Sequence, residues 1–200
     1  MKPWTPLLEQ TWAYRLLQAT WADDKLEPLL RHNDLARARD VLDVGCGPGT
    51  NAAFFARQRY VGLDINPAYI EHARAKHAGE FLVADATTWE PPAGKSYDLV
   101  LLNSFLHHVD DAAVRRLFAN LGRALSPDGR LHLVDLVMPA RVSVAWVLGK
   151  LDRGDYPRPI EQWRALVRER FEPEVEELYR LKAGPLTLWN MVYFKLRPRP

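Results

Sequence analysis

An α/β fold with a doubly wound, mostly parallel seven-stranded sheet is the architecture that three observations predict. Between Asp40 and Leu136, short apolar β-type runs alternate with segments of helical period. The first run passes into a glycine loop, Val41-Leu42-Asp43-Val44-Gly45-Cys46-Gly47-Pro48-Gly49-Thr50, and such loops join a strand to a helix beside a nucleotide. Further runs end on polar groups, Asp64, Asp85 and Asn103, which lines the carboxyl edge of a parallel sheet with ligand-binding chemistry.

The elements follow in order. Residues 5–31 carry apolar positions at helical spacing, Leu7, Leu8, Trp12, Leu16, Leu17, Leu26, Leu29 and Leu30, enough for one or two helices. The first strand is Asp40 to Val44, and Thr50 to Arg59 reads as a helix with Ala52, Ala53, Phe54, Phe55 and Ala56 as its apolar surface. Tyr60 to Leu63 is the second strand, and Pro67, suited to a first helical position, opens a helix to about His77. Phe81 to Ala84 and Leu99 to Leu102 are strands three and four. Val114, Leu117, Phe118, Leu121 and Leu125 mark an amphipathic helix, with Asp110 as its cap. Ser126-Pro127-Asp128-Gly129 is a turn before strand five, Arg130 to Leu136. Helical stretches at 141–151 and 160–170 then flank a loop at 152–159, and two strands near 174–182 and 187–196 form a hairpin about Gly184-Pro185. We therefore divide one domain, 1–200, into an N-terminal helical cap (1–39), a cofactor-binding core (40–138), a helical insert after strand five (139–171) and a C-terminal hairpin (172–200).

Composition narrows the class. At 200 residues and 48% hydrophobic content the chain suits one compact domain, and no apolar run is long enough to span a bilayer. The first fifteen residues lack the apolar core of a secretory signal, so a cytoplasmic location is expected. A net charge of +2 does not by itself suggest a nucleic-acid binder. The one cysteine, Cys46, lies inside the glycine loop and reads as a small residue in a tight turn, and no Cys/His cluster has metal spacing.

The loop departs from the dinucleotide fingerprint G-x-G-x-x-G, because Thr50 stands at its third glycine position, and this weighs against a nucleotide-dependent oxidoreductase. The pattern present is Gly45, Gly47, Gly49, followed by Gly62-Leu63-Asp64, Ala84-Asp85-Ala86, Tyr97-Asp98-Leu99-Val100 and Leu106-His107-His108. Together these resemble the class I S-adenosylmethionine-dependent methyltransferase family, in its small-molecule branch, across roughly residues 40–138. The resemblance implies the seven-stranded Rossmann-like sheet with a reversed last strand, and S-adenosylmethionine as cofactor. It assigns the ribose hydroxyls to Asp64, whose two oxygens suit a bidentate pairing. It puts Asp85 and the backbone of Ala86 near the adenine, with Ile65 beside them, and Asp43 and the carbonyl of Asn103 near the methionine ammonium. Gly45, Cys46, Gly47 and Gly49 then form the loop that lets the backbone approach the cofactor closely.

Methyl transfer is a direct displacement, so positioning dominates, and a base is needed only where the acceptor must lose a proton. Candidates for that base are His107, His108 and Asp135, and the competing reading of each is a structural one. A metal site with Asp110 and Asp111 is disfavoured. Acceptor contacts are expected from Ser104 and from aromatics of the N-terminal helices and the insert: Trp12, Tyr14, Trp146 and Tyr156, with Trp21 and Trp163 nearby in sequence. Val142 to Leu148 would line a pocket for a lipid-like acceptor, rest on a membrane surface, or form a buried helix, and the buried helix is the favoured reading. Arg153 and Arg158 are candidates for an anionic acceptor.

Asn103-Ser104-Phe105-Leu106 lacks the Pro-Pro-aromatic motif of enzymes that methylate amino groups of adenine or glutamine, which argues against DNA. Asn103 also stands where magnesium-dependent catechol enzymes carry an acid. The expected activity is methylation of a small molecule at oxygen, with no metal. A non-catalytic partner subunit and an RNA methyltransferase are the alternatives, the latter without any appended RNA module. Either a monomer or a homodimer fits the sequence.

Overall fold

The computed structural model describes residues 22–151 and 154–199. Its strands are β1 (Asp40–Val44), β2 (Arg59–Asp64), β3 (Glu80–Val83), β4 (Tyr97–Asn103), β5 (Leu125–Leu136), β6 (Phe171–Ala183) and β7 (Leu186–Pro198). Its α-helices are α1 (Ala22–His32), α2 (Pro67–Lys76), α3 (Asp111–Ala124), α4 (Val144–Leu151) and α5 (Ile160–Arg168). All seven strands join one sheet in the order β3-β2-β1-β4-β5-β7-β6. The pairs from β3 to β5 are parallel, while β7 runs antiparallel to both β5 and β6. The chain winds outward from β1 to β3 and then restarts at β4, so the strand order reverses between β1 and β4. A crevice opens at such a point, outside the carboxyl ends of the strands.

Alternation along the central strands explains the two cores. Leu42 and Val44 of β1, Val100 and Leu102 of β4, and Leu131 and Leu133 of β5 face Val114, Leu117, Phe118 and Leu121 of α3 and Trp163 and Leu166 of α5. Val41, Leu99, Leu101 and Val134 face the other way, onto Leu26 and Leu29 of α1 and Ile70 and Ala73 of α2. With both faces covered, the strands read as continuous apolar runs. The helix starts are capped locally: Asn66 Oδ1 accepts from Ala68 N (3.0 Å) at α2, and Asp110 Oδ1 accepts from Ala113 N (2.8 Å) at α3. Asn66, not Asp64, is thus the cap of α2.

Several expectations need correction. The helix expected from Thr50 to Arg59 is a 3-10 segment, Thr50–Phe55, because Ala52 and Phe55, three apart, are its buried apolar residues and β2 already begins at Arg59. The turn expected at 126–129 lies inside β5 as an excursion, since Leu125 pairs with Tyr97 and Arg130 with Leu99. The stretch favoured as a buried helix is largely open: Val142, Val144, Val147 and Leu151 are exposed, and within α4 only Ala145 and Gly149 are buried. Gly149 is pressed against the Met138 sulfur and Leu148 packs partly against the core, while the valines face out. The helices expected before residue 22 lie outside the described residues.

α1 is fastened to the sheet by polar contacts as well as by leucines. Asn33 Nδ2 donates to Tyr193 Oη (2.8 Å), Tyr193 Oη pairs with His132 Nδ1 (3.0 Å), and Tyr179 Oη donates to the Lys25 carbonyl (2.7 Å). Burial, with Lys195 and Arg130 nearby, pushes the His132 imidazole down to about 3. The unfolded chain therefore takes up this proton first, so the stability it carries is complete above pH ~6.5 and is lost as pH falls toward 3. His132→Gln is expected to remove about 2 kcal/mol of the acid destabilisation between pH 7 and 5. Urea midpoints at the two pH values check this, and an unchanged difference between them would refute it.

Candidate functional site

The crevice is floored by the loop after β1. Gly45 N and Cys46 N both donate to the Leu63 carbonyl (2.8 and 2.9 Å), which ties the loop to the end of β2. At Gly45 a side chain has no room, because an added Cβ would lie 2.7 Å from Phe105 Cγ. Gly47 is the opposite case: its φ is 56° and an added Cβ would meet nothing within 4 Å. Its backbone is bare and open to a ligand. Gly47 N donates to Asp64 Oδ2 (2.9 Å) and Asn66 N to Asp64 Oδ1 (2.8 Å), so the Asp64 carboxylate is oriented while each oxygen keeps acceptor capacity. Ile65 beside it is 67% exposed, unusual for an isoleucine at a strand end. Cys46 is buried, and burial among carboxylates pushes its thiol far up, so it is inert.

Behind the loop, Asp43 is fully buried on β1. Its Oδ2 accepts from Tyr60 Oη (2.5 Å) and Asn51 Nδ2 (3.0 Å), while Oδ1 has no partner among the described residues. Desolvation raises the carboxyl to about 6, against the two hydrogen bonds, which lower it, and with Asp64 adding to the rise. Asn51 Oδ1 in turn accepts from Asn103 Nδ2 (3.2 Å), and Ser104 Oγ donates to Asn103 Oδ1 (3.1 Å). Ser104 has φ 54°, an uncommon backbone for a residue with a side chain.

On the far side of β4, His107 and Asp135 are buried together. His107 Nδ1 lies 2.6 Å from Asp135 Oδ1. Leu136 N donates to the same oxygen (2.7 Å) and Leu106 N to Oδ2 (2.9 Å). With donors converging on it, Asp135 is the acceptor of the pair and Nδ1–H the donor, which leaves Nε2 as the basic nitrogen. His108 is exposed and its ring lies 4.2 Å from that of His107. Tyr156 N donates to the His107 carbonyl (2.9 Å), and Gly154 packs so tightly there that a Cβ would lie 2.3 Å from His107 Cδ2.

Residues 41–129 match the family described as "Methyltransferase domain". The chain is 35% identical over 143 residues to a trans-aconitate 2-methyltransferase of Paracidovorax citrulli, covering 66% of this chain and 50% of that one. It is 31% identical to a trans-aconitate 2-methyltransferase of Delftia acidovorans, covering 88% of this chain and 72% of that protein. The chain belongs to the class I S-adenosylmethionine-dependent methyltransferases. Solved structures share the fold: the PH0226 protein of Pyrococcus horikoshii aligns with a TM-score of 0.68 at 20% identity, covering 95% of this chain and 93% of that one. The mitomycin 7-O-methyltransferase MmcR aligns at 0.70 and 22% identity, covering 98% of this chain and 60% of its own.

In this methyltransferase the expected site residues do not all converge. Gly47 of the glycine loop is bonded to Asp64, and Asp43 is linked through Asn51 to the side chains of Asn103 and Ser104. Asp85 is exposed, and its Oδ1 accepts from Thr87 N (2.8 Å) and Thr87 Oγ1 (2.7 Å); Ala86 is buried next to it. Trp146 is half-buried on α4 and Tyr156 is exposed, while Trp12, Tyr14 and Trp21 lie outside the described residues, as does Arg153. Trp163 is core: its Nε1 donates to the Leu136 carbonyl (3.0 Å). Arg158 is not available to an anion, because it is buried against Asp111 and two backbone carbonyls. Sequence reasoning missed Asn51 and Tyr60. The available signal was an amide set in an otherwise apolar stretch, Asn51-Ala52-Ala53-Phe54-Phe55. Among the described residues, no group of three His, Cys, Asp or Glu side chains has metal-site geometry, and no helix is long and apolar enough to cross a membrane.

Proposed function

We propose that this methyltransferase transfers a methyl group to an oxygen of a small molecule by direct in-line displacement, with His107 as the proton acceptor. The observation that carries the reading is the His107–Asp135 pair, buried at the carboxyl ends of β4 and β5 with its basic nitrogen turned away from the carboxylate. Bound S-adenosylmethionine supplies the methyl group on a positively charged sulfur. The residues present fit it. Asp64 would take the ribose hydroxyls with the acceptor capacity its backbone bonds leave, and Asp43 Oδ1 would take the ammonium. The bare backbone of Gly47 would lie along the cofactor, with Gly45, Cys46 and Gly49 shaping the loop around it. Ile65 would pack on the adenine, Asp85 would accept from its amino group and Ala86 N–H would donate to the ring. The Asn103 carbonyl would share the ammonium.

The acceptor would meet Ser104, Trp146 and Tyr156, with Trp12 and Tyr14 as further contacts; His107 takes its proton, Asp135 holds the resulting imidazolium, and His108 shields the pair. Trans-aconitate, printed in the names of the relatives, is the carboxylate acceptor against which hydroxyl compounds are to be compared. The reading includes action in the cytoplasm, as a monomer or homodimer, without nucleic acid or metal. The exposed valines of Val142, Val144 and Val147 suit an apolar acceptor or a membrane surface in passing contact.

Calorimetric titration with S-adenosylhomocysteine tests the cofactor part. Asp64→Ala is expected to weaken binding about ten- to a hundredfold, the loss of ~1.5–3 kcal/mol for a charge-assisted pair. Unchanged affinity would remove Asp64 from the site. A folded wild type that never binds would overturn the proposal.

A further inference from the structure

The polar chain from Tyr60 to Ser104 has a direction, and that direction carries information. We propose that Asn51 is a positioning residue: it aims Asp43 Oδ1 at the cofactor ammonium and, through Asn103, turns the Ser104 hydroxyl so that only its lone pairs face the acceptor. The inference rests on the cofactor assignment of Asp43 made above.

The chain permits one arrangement of its hydrogens. A carboxylate only accepts, so Asn51 must turn its amide nitrogen to Asp43 Oδ2, at 3.0 Å. Its carbonyl oxygen then faces Asn103 and must receive the Asn103 amide nitrogen, at 3.2 Å. That leaves the Asn103 oxygen toward Ser104, whose hydroxyl must donate its single hydrogen, at 3.1 Å. Ser104 Oγ has then spent its hydrogen and offers lone pairs alone. The backbone of Ser104 is consistent with an imposed position: φ is 54°, and Ser104 N is held by the Val134 carbonyl at 2.8 Å. Tyr60 Oη and Asn51 both bond Oδ2 of Asp43, so Oδ1 is the oxygen left to the ligand. The groups that face Asp43 are the Tyr60 phenol, the Asn51 amide, the Asp64 carboxylate and the Cys46 thiol, none of them a cation. A cationic ammonium is the partner this carboxylate lacks.

Two consequences separate this from simple packing. An acceptor-only Ser104 favours a substrate with a hydrogen-bond donor beside the reacting oxygen, whose own proton goes to His107. Cofactor and acceptor sites are also coupled through one chain, and coupling is reciprocal.

The test is titration of S-adenosylhomocysteine from pH 5 to 8 into wild type, Asp43→Asn, Asn51→Ala, Tyr60→Phe, Ser104→Ala and the Asn51→Ala/Ser104→Ala double variant, with thermal midpoints recorded for each. Wild-type affinity is expected to fall as pH drops through about 6, where Asp43 gains a proton. Asn51→Ala is expected to weaken binding about tenfold at pH 7, and both it and Tyr60→Phe to move the acid limit upward by about one pH unit, since each removes a donor to the carboxylate. Ser104→Ala is expected to change affinity in the wild-type background and not in the Asn51→Ala background, where the chain is already cut. If Asp43→Asn binds as wild type does, the cofactor assignment of Asp43 fails and the inference fails with it. If Asp43→Asn loses binding while Asn51→Ala and Tyr60→Phe keep the wild-type affinity and acid limit, Asp43 stands and the positioning role is refuted. Equal effects of Ser104→Ala in both backgrounds would refute the coupling.

Discussion

His107→Gln is expected to slow methyl transfer to a hydroxyl acceptor by about 10²–10⁴-fold, while S-adenosylhomocysteine binds with unchanged affinity. The imidazole is held by Asp135 through Nδ1, and Asp135 is itself held by Leu106 N and Leu136 N, so the basic nitrogen is preset. Glutamine keeps a polar side chain of similar reach but has no basic nitrogen at neutral pH. Asp135→Asn is expected to lose nearly as much, because either turn of the amide sets its NH2 against a donor, at the shared site of His107 Nδ1 and Leu136 N or at Leu106 N, and the charge that holds the imidazolium is gone. Single-turnover rates across pH 6 to 9 make the check. Wild type should turn over faster than His107→Gln at every pH in that range. A carboxylate acceptor such as trans-aconitate carries no proton to remove, so its rate should drop by less than about tenfold. A hydroxyl acceptor turned over by His107→Gln within threefold of wild type would remove His107 from the chemistry.

Arg158→Met is expected to cost about 3–5 kcal/mol, the largest single loss of stability we foresee. Arg158 is 1% exposed, and its guanidinium bonds Asp111 Oδ1 (2.8 Å), the Leu106 carbonyl (2.8 Å) and the Val109 carbonyl (2.5 Å). Its Cζ also lies over the Trp163 ring, 5.0 Å from the ring centroid. Methionine fills the volume but leaves two carbonyls and a carboxylate without their donor. Lysine keeps the charge but not the planar fork, so Arg158→Lys should recover less than half of the loss. Asp111 is a third exposed and also accepts from Gln162 Nε2 (2.9 Å), so Asp111→Asn should cost about 1 kcal/mol. Denaturant unfolding measures all three. A loss below about 1 kcal/mol in Arg158→Met would mean that water replaces the guanidinium.

That arginine also marks where sequence reasoning ran out. β1 was legible because a central parallel strand, buried on both faces, must be an unbroken apolar run, and Val41 to Val44 is one but for Asp43. The amphipathic helix after Asp110 was legible because its leucines keep helical period against one sheet face. The segment after Thr50 was not, since Ala52 and Phe55 suit a 3-10 turn as well as the first turn of an α-helix. α4 misled because exposure of a valine-rich helix depends on what it packs against, and only Ala145 and Gly149 of it are buried, with Leu148 packed partly against the core. In the site, Asp43, Asp64 and the glycines announce themselves by position in a motif. Asn51, Tyr60 and Arg158 act through partners 8, 17 and 47 residues away, and pairing at such separations is a property of the folded chain.

The place of β7 in the sheet has a bearing on how the protein is made. β7 is synthesised after every other strand, yet it lies between β5 and β6 rather than at an edge. Until residues 186–198 clear the ribosome, β5 has no neighbour on one side and β6 has none at all. The nascent chain therefore carries open hydrogen-bonding edges until residues 186–198 emerge, and such edges invite pairing with other chains. Emergence of residues 186–198 becomes the event that closes the sheet. Helpers that shield strand edges during translation, or a slow stretch of codons ahead of residue 186, would act on yield without touching a single residue of the crevice.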